Sequence, residues 1–284
     1  MYFMPITLVV FVIILFYMTH KSKKKSNKPN IWIHVDREYN SRNWSSFYSR
    51  SSFNLNQPYI TLCINSIIKH NDKDFTINII DDSAFKKLIP GWDINLEGVP
   101  EPIKYNIRIL AFTKILYLHG GVLVPNSFLC FKSLIKLTNS FPFSCEHVSK
   151  DDYILKPTEL FIGSKKGDNS IRLLMKELER LISTNHSESI KFSGNIENYL
   201  EKNENLNIIS GKLVGTQTQQ NTPVLIEDLL STNYLSLNND MFGIYIPSKE
   251  ILKRNKYNWF VRLNSEQLLS SEMIISKYMI IASH

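Results

Sequence analysis

Residues 114–130, KILYLHGGVLVPNSFLC, join a helical pattern to a short apolar strand through two adjacent glycines. Apolar side chains before the glycines recur at the three- and four-residue spacing of an amphipathic helix. Gly120 and Gly121 predict the end of that helix, because a left-handed C-cap favours a residue without a Cβ atom. Residues 122–124 then predict a strand, which Pro125 ends because proline has no N–H for the ladder. The stretch predicts a helix that leads directly into a strand of a sheet.

The chain before this stretch has the pattern strand, helix, strand. IWIHV at 31–35 and FTINIIDD at 75–82 are rich in β-branched residues and predict two strands. NQPYITLCINSIIKH predicts a helix between them, with Asn56 as its cap and Pro58 in its first turn. Later, TELFIGSKK predicts another strand and NSIRLLMKELERLIS another helix. Alternating strands and helices predict an α/β domain with a parallel sheet, which we assign to residues 31–284.

The N-terminus predicts a membrane anchor. MYFMPITLVVFVIILFYM is about 18 uncharged residues, close to the shortest helix that crosses a bilayer. It lacks the basic start and the A-x-A site of a cleaved signal peptide, so we predict a signal anchor at residues 1–19 and a basic linker at residues 20–30. The linker lysines predict that the domain faces the cytosol. Sequons at Asn43 and Asn185 leave a lumenal orientation open.

Charge and motifs exclude several classes of protein. The net charge is +7, but five of the 33 basic residues lie in the linker, so the domain itself is nearly neutral against 26 acidic residues. A nucleic-acid-binding domain would carry its basic charge on the fold, so we expect none. Cys63, Cys130 and Cys145 have no metal-type spacing and predict buried, reduced thiols. No dinucleotide, P-loop, zincin or serine-hydrolase motif occurs.

Two carboxylates follow the predicted strand at 75–82. In open α/β sheets ligands bind at the carboxyl ends of strands, so Asp81 and Asp82 are candidates for a functional site. Paired carboxylates can hold ribose hydroxyls, bind a metal ion or act in acid–base steps. The alternative is that they begin a helix, with Asp82 or Ser83 as its cap.

At RILAFTKILYLHGG, residues 108–121, the chain resembles a known family: the DXD-containing sugar transferases related to capsular polysaccharide synthesis enzymes. In that family an Arg-bearing helix leads through a Gly-Gly turn into a strand that ends in Asp-x-Asp. The resemblance covers roughly residues 31–185. It implies a GT-A-like fold with a mixed, mostly parallel sheet flanked by helices, a nucleotide-sugar donor, and a glycan or other acceptor. It also implies donor binding by Arg108, Gly120, Gly121, Pro125, Asn126 and Ser127.

The chain departs from the family at the metal motif, because the two aspartates align with Pro125 and Ser127. Asp-x-Asp holds a divalent cation that neutralises the charge of the diphosphate leaving group. Proline has no side-chain ligand, and serine is a poor one without acidic neighbours. The identity of any metal ligand is therefore open.

Three interpretations of this departure remain. Cationic side chains such as Arg108, Lys114 or Lys104 could neutralise the diphosphate without a metal. Alternatively, Asp81, Asp82 or another carboxylate could recruit Mn²⁺ or Mg²⁺. In the third interpretation the protein binds sugar or nucleotide without turnover.

An inverting transferase also needs a carboxylate to take the acceptor's proton. Glu227 and Asp228, in TPVLIEDLL, are the main candidates, with Glu146 and Asp240 as further ones. The alternative for Glu227 and Asp228 is that they are first-turn acids of a helix after Pro223, where the helix dipole favours them.

The leading hypothesis is a membrane-anchored, GT-A-like glycosyltransferase. Its catalytic carboxylates would come from Asp81, Asp82, Glu227 and Asp228. The alternative is a catalytically inactive protein of the same fold that binds sugar or nucleotide. The Lys-, Asn- and Ile-rich composition is typical of AT-rich genomes, including viral ones.

Overall fold

The computed structural model describes residues 28–36, 57–149, 153–184, 189–253 and 255–283. Within these ranges the strands are β1 (Asn30–His34), β2 (Thr76–Ile80), β3 (Gly121–Leu123), β4 (Phe128–Cys130), β5 (Phe143–Val148), β6 (Leu155–Ser164), β7 (Asn207–Ile209) and β8 (Gly243–Tyr245). The α-helices are α1 (Pro58–Asn71), α2 (Phe85–Leu88), α3 (Glu101–His119), α4 (Asn169–Thr184), α5 (Ser189–Glu201), α6 (Ile226–Leu230), α7 (Ser248–Lys253), α8 (Asn258–Arg262), α9 (Ser265–Ser270) and α10 (Ile274–Ser283).

Six strands form a central sheet in the order β2-β1-β3-β6-β5-β7. β2, β1 and β3 are parallel, β5 and β7 are parallel, and β6 runs antiparallel to both of its neighbours. The predicted α/β class and mostly parallel sheet are confirmed. Five strands therefore end at one edge of the sheet, where β6 begins, and we call this the carboxyl edge. The opposite side, where β1 and β3 begin, is the amino edge.

Side chains that alternate along the strands build a core on each face of the sheet. In β1, Ile31 and Ile33 pack into one core, whereas Trp32 packs into the other. The first core contains α1, the small antiparallel sheet of β4 and β8, and α8 to α10. The second core contains α2 to α5. The sheet thus lies between two layers, and α3 reaches the carboxyl edge with its N-terminal half because it leads into β3.

The turn between α3 and β3 requires both glycines. Gly120 has φ 67°, and its N–H donates to the carbonyl oxygen of Leu116 at 2.8 Å, so the predicted helix end is confirmed. Gly121 has φ 113°, and a Cβ atom there would lie 2.3 Å from the Asn30 carbonyl oxygen. Both glycines lie at the amino edge, beside the start of β1. The two glycines pack α3 and β3 together at the edge opposite to the strand ends, and their donor-binding role stays a prediction.

Most predicted elements occur within a few residues of their expected bounds. Pro58 stands in the first turn of α1 as expected, with Gln57 at the N-cap position, whereas the proposed cap Asn56 lies outside the described residues. Helix α5 and the short strand β7 were not predicted. Glu146 lies within β5 and not after it.

The predicted anchor at residues 1–19, most of the basic linker at 20–30, and the sequon residues Asn43 and Asn185 lie outside the described residues. In the part of the chain that the structure describes, no helix combines the length and apolar character needed to cross a bilayer. This finding contradicts the prediction of a single-pass membrane protein. Neither membrane attachment nor a cytosolic or lumenal orientation enters the function proposed below.

Replacing Gly121 with alanine should reduce the free energy of unfolding by about 3 kcal/mol or more, because the Cβ atom collides with Asn30 and the backbone is left-handed. Gly167→Ala is the matched control. Gly167 also has a positive φ, of 74°, but a Cβ atom there meets nothing within 4 Å, so about 1 kcal/mol is expected. Urea unfolding of both variants measures this, and equal losses would contradict the packing role.

Candidate active site

Arg108 connects the ends of two strands at the carboxyl edge. Its Nε and Nη2 atoms donate to Asp82 Oδ1 and Oδ2 at 2.8 and 2.5 Å, and Nη1 donates to Asp36 Oδ2 at 2.9 Å. Asp82 follows β2, and Asp36 follows β1. The side chain of Arg108 is only 8% exposed, and the planar guanidinium matches the carboxylate of Asp82 in a two-pronged contact. Arg108, Asp82 and Asp36 therefore form an ion-pair network, which we call the Arg108 network, and donor binding by Arg108 stays a prediction.

His34 completes the Arg108 network, with Nε2 2.9 Å from Asp82 Oδ1. Burial tends to raise the pKa of Asp82, but hydrogen bonds from His34 and Arg108 outweigh it and hold the pKa well below its usual range. Burial likewise tends to lower the pKa of Arg108, and its bonds to Asp82 and Asp36 reverse the direction. An ionised carboxylate with both oxygens engaged is a poor proton acceptor. In this structure Asp82 is an ion-pair partner, and its catalytic role stays a prediction.

Asp81 begins a 3-10 turn instead of forming a site with its neighbour. Its Oδ1 accepts a hydrogen bond from Ser83 Oγ at 2.5 Å, and its carbonyl accepts one from the Ala84 N–H at 3.0 Å. The alternative interpretation, a helix start after β2, describes this segment. The expected side-chain caps are not formed by Asp82 or Ser83. A catalytic role for Asp81 stays a prediction.

The segment that replaces the family's metal motif leaves the sheet at Pro125, whose carbonyl accepts from the Phe128 N–H at 3.0 Å. Asn126 is partly exposed, and its Nδ2 donates to the His34 carbonyl oxygen at 3.1 Å. Ser127 is 1% exposed, and its Oγ donates to the Ile246 carbonyl oxygen at 2.6 Å. Asn126 therefore lies at the carboxyl edge as expected. Ser127 does not line a site, because it anchors the segment to the chain after β8.

The residues at the replaced motif do not fit a Mn²⁺ or Mg²⁺ site. Mg²⁺ is commonly held by one or two carboxylates together with waters and substrate phosphates, so a site needs at least one carboxylate that can turn toward the ion. Asp82 is held by Arg108 and His34, and Pro125 and Ser127 supply no carboxylate. Within the described ranges, no group of three or more His, Cys, Asp or Glu side chains could hold a metal ion.

The acids predicted on the later helix are confirmed as first-turn residues of α6. Asp228 Oδ2 accepts from the Leu225 N–H at 2.9 Å and so caps the helix. Glu227 Oε1 accepts from Tyr257 Oη and from Lys256 Nζ, the latter at 3.2 Å. Burial tends to raise the pKa of Glu227, but these hydrogen bonds lower it below its usual value. The alternative interpretation of these two acids is the one that their geometry favours.

The other side chains singled out from the sequence have structural partners. Glu146 Oε2 accepts from the Gly211 N–H at 2.8 Å, which ties β5 to the loop after β7. Lys114 Nζ lies 3.0 Å from Glu179 Oε1 on α4. Asp240 lies in the turn before β8. Lys104 is buried on α3, one turn before Arg108, and so lies on the helix side that faces the carboxyl edge.

One carboxylate at this edge was missed. Glu159 lies on β6, is 5% exposed, and accepts a hydrogen bond at Oε1 from Tyr105 Oη on α3. Burial raises the pKa of Tyr105 and of Tyr245, and the nearby charge of Glu159 raises both further. The signal was present in the sequence, because strand alternation puts Glu159 on the same side as the core residue Phe161. A carboxylate on an apolar strand face calls for an explanation.

Two other features lie apart from this group. Glu197 on α5 accepts from Ser149 Oγ at 3.1 Å and lies 3.0 Å from His147 Nε2, so it joins α5 to the end of β5. A shallow pocket of about 320 Å³ lies between α10 and the segment after α6. Its lining contains none of the residues predicted to form the site.

No protein-family model and no curated protein matches the chain. A solved structure that resembles it is the PaToxG Glycosyltransferase, with 14% sequence identity and a TM-score of 0.36. The aligned part covers 68% of this chain and 76% of that one. The function proposed below is argued from the residues of this chain.

Asp82→Asn should lower the free energy of unfolding at pH 7 by about 2–3 kcal/mol, because it removes the charge that faces Arg108 and His34. Glu179→Gln, which breaks the exposed pair with Lys114, should cost below about 0.5 kcal/mol.

The depressed pKa of Asp82 also predicts that the free energy of unfolding depends on pH. Because the folded pKa of Asp82 is depressed, its stabilisation is complete above the unfolded pKa near ~4 and is lost as the pH falls toward the folded value. Urea unfolding at pH 7 and pH 3.5 should therefore show a larger loss for the wild type than for Asp82→Asn. Equal losses on acidification would contradict the Arg108 network as a source of stability.

Restoring an acid at the replaced motif should fail. Ser127→Asp puts a carboxylate in the core against the Ile246 carbonyl and should cost about 3 kcal/mol or more. Ser127→Ala, which only removes the hydrogen bond, should cost about 1–2 kcal/mol, and Asn126→Ala below about 1 kcal/mol. Thermal and urea unfolding report these differences. A Ser127→Asp protein as stable as the wild type would show that this position opens onto a cavity.

Proposed function

We propose that the protein is a GT-A-like glycosyltransferase that transfers a sugar from a nucleotide-sugar donor to a hydroxyl group of a glycan or other acceptor. The observation that carries the proposal is the reversal of strand order at β1. The chain leaves β1 for β2 on one side and returns to β3 on the other. Ligands of open α/β sheets bind at such a switch point, outside the carboxyl ends of the two diverging strands.

The residues at this switch point support a nucleotide-sugar ligand. Asp36 and Asn126 stand at the ends of β1 and β3, on either side of the crevice. The resemblance to the sugar transferases falls on the helix, the glycine turn and the strand that form one wall of the crevice. We therefore propose that the donor lies between the ends of β1 and β3, with its diphosphate next to the N-terminal half of α3.

A diphosphate leaving group needs positive charge nearby. We propose Lys104, which is buried one helical turn before Arg108 on the same side of α3, as the cation that meets the diphosphate. Because Pro125 and Ser127 at the replaced motif supply no carboxylate, the transfer that we propose does not depend on a divalent metal. The binding of Mn²⁺ or Mg²⁺ through Asp81 or Asp82 is the competing proposal.

A second candidate function is nucleotide or sugar binding without turnover. It is favoured by one observation: the positions that align with the family's two aspartates hold a proline and a buried serine. An ancestral transferase that lost its metal site without compensation would retain the crevice and lose the reaction.

The test is binding and turnover with defined probes. UDP and GDP are titrated by thermal shift, and hydrolysis of UDP- and GDP-sugars is followed with Mn²⁺ and with EDTA. We expect one nucleotide to raise the melting temperature and EDTA to leave turnover unchanged. Turnover abolished by EDTA would support the metal proposal, binding without turnover would support the second candidate, and binding of neither nucleotide would contradict both functions.

Lys104→Met should weaken nucleotide binding about tenfold or more, because a charge-assisted contact to phosphate is lost. Lys114→Met is the matched control on the same helix, since Lys114 lies nearer the C-terminal end of α3 and contacts Glu179 on α4. Unfolding curves check that both variants keep the fold. Equal affinities for the two variants would remove Lys104 from the proposed site.

A further inference from the structure

Strand β6 extends beyond β3 at the carboxyl edge. β3 pairs with β6 only from Ile162 to Ser164, whereas β5 pairs with β6 as far as Leu155. β3 leaves the sheet at Pro125, so residues 155–161 of β6 have no β3 partner beside them. This overhang, residues 155–161, spans roughly 20 Å of strand. It lies next to the end of β3, on the side of β3 away from β1.

Glu159 lies on this overhang in a setting of neutral partners. Tyr105 lies on α3, one turn before Arg108, and its hydroxyl group donates a hydrogen bond to Glu159 Oε1. The other carboxylate oxygen, Oε2, receives no hydrogen bond from the part of the chain that the structure describes. A hydroxyl donor holds the carboxylate in place without supplying the positive charge that would remove its basicity. One oxygen thus serves for positioning, and the other is left for a ligand.

The other acids of the chain that were considered are engaged differently. Asp82 is held by Arg108 and His34. Asp228 caps α6, Glu227 meets a lysine and a tyrosine, and Glu146 accepts a backbone N–H. Each of these carboxylates is committed to a charge pair, a helix end or a loop. Among them, Glu159 alone lies on the β6 overhang and has a single neutral donor.

We propose that Glu159 is the catalytic base of the transfer, an inference that rests on the proposed function. The acceptor's oxygen attacks C1 of the donor sugar, and its proton passes to the Glu159 carboxylate. The C1–O bond to the diphosphate breaks, and the bonding electron pair leaves with the phosphate oxygen. This single displacement inverts the configuration at C1 and requires no further reactant. Tyr105 is a positioning residue that orients the carboxylate.

The experiment compares Glu159→Gln with Glu197→Gln, which removes an equally buried carboxylate beside β5 and not at the crevice. We expect Glu159→Gln to bind UDP or GDP as the wild type does and to slow transfer by about 100-fold or more. Glu159→Asp should recover part of the rate. Glu197→Gln should retain transfer within about threefold of the wild type, whatever its melting temperature, because loss of a structural contact leaves the chemistry intact.

Tyr105→Phe provides a second test if Glu159→Gln does not fold. It should lower kcat about tenfold with little change in KM and should displace the acidic limb of the pH–rate profile, since the base loses its hydrogen bond. A purely structural role would change the melting temperature and leave that limb in place.

The possible results distinguish a failure of Glu159 as the base from a failure of the proposed function. A folded Glu159→Gln protein that transfers within about threefold of the wild-type rate, or a product with retained configuration, would overturn Glu159 as the base and leave the proposed function standing. A wild-type protein that turns over none of the donors would overturn the proposed function, and the inference with it.

Discussion

The ion pair of Arg108 with Asp82 and Asp36 fixes the geometry of the carboxyl edge. It connects α3 to the ends of two parallel strands, and His34 adds a contact from within β1. Because Arg108 is held from both sides, the first turns of α3 are held as well. Tyr105 and Lys104 lie on those turns, so their position against β6 and the crevice depends on the same network. Arg108, to which the resemblance assigned donor binding, thus holds together the part of the fold in which we propose that the donor binds.

The changes at the family's metal motif have a consistent physical consequence. Pro125 turns the chain out of the sheet, and Ser127 attaches it to Ile246 in the core. This segment therefore contributes to packing, and the side chains of Pro125 and Ser127 offer no carboxylate to a cation. The departure of β3 also leaves the overhang of β6 without a β3 partner, and the overhang carries Glu159. In our proposals positive charge comes from Lys104 and proton transfer from Glu159, in place of a metal held at the end of β3.

Local patterns in the sequence predicted most helices and strands. They did not predict which distant residues contact one another in the fold. The helix, glycine turn and strand around residues 107–124 follow from spacing and from the demand for a left-handed residue. Asp82 was recognised at a strand end, but its partner Arg108 comes 26 positions later, and only the folded sheet joins them. The resemblance assigned Gly120 and Gly121 to the donor site. Because they stand at the start of β3, the direction of that strand puts them at the amino edge. Helix α5, SIKFSGNIENYLE, has a weak apolar pattern that includes a glycine, and β7 has only three residues. Glu159 was overlooked because it was read as part of a strand.

The most direct measurement is a crystal structure of the protein soaked with UDP or GDP, whichever raises its melting temperature. The account predicts density for the nucleotide at the carboxyl edge, between the ends of β1 and β3, with the phosphates next to the first turns of α3 and within reach of the β6 overhang. Density in the pocket beside α10, or at the amino edge next to Gly120 and Gly121, would contradict it.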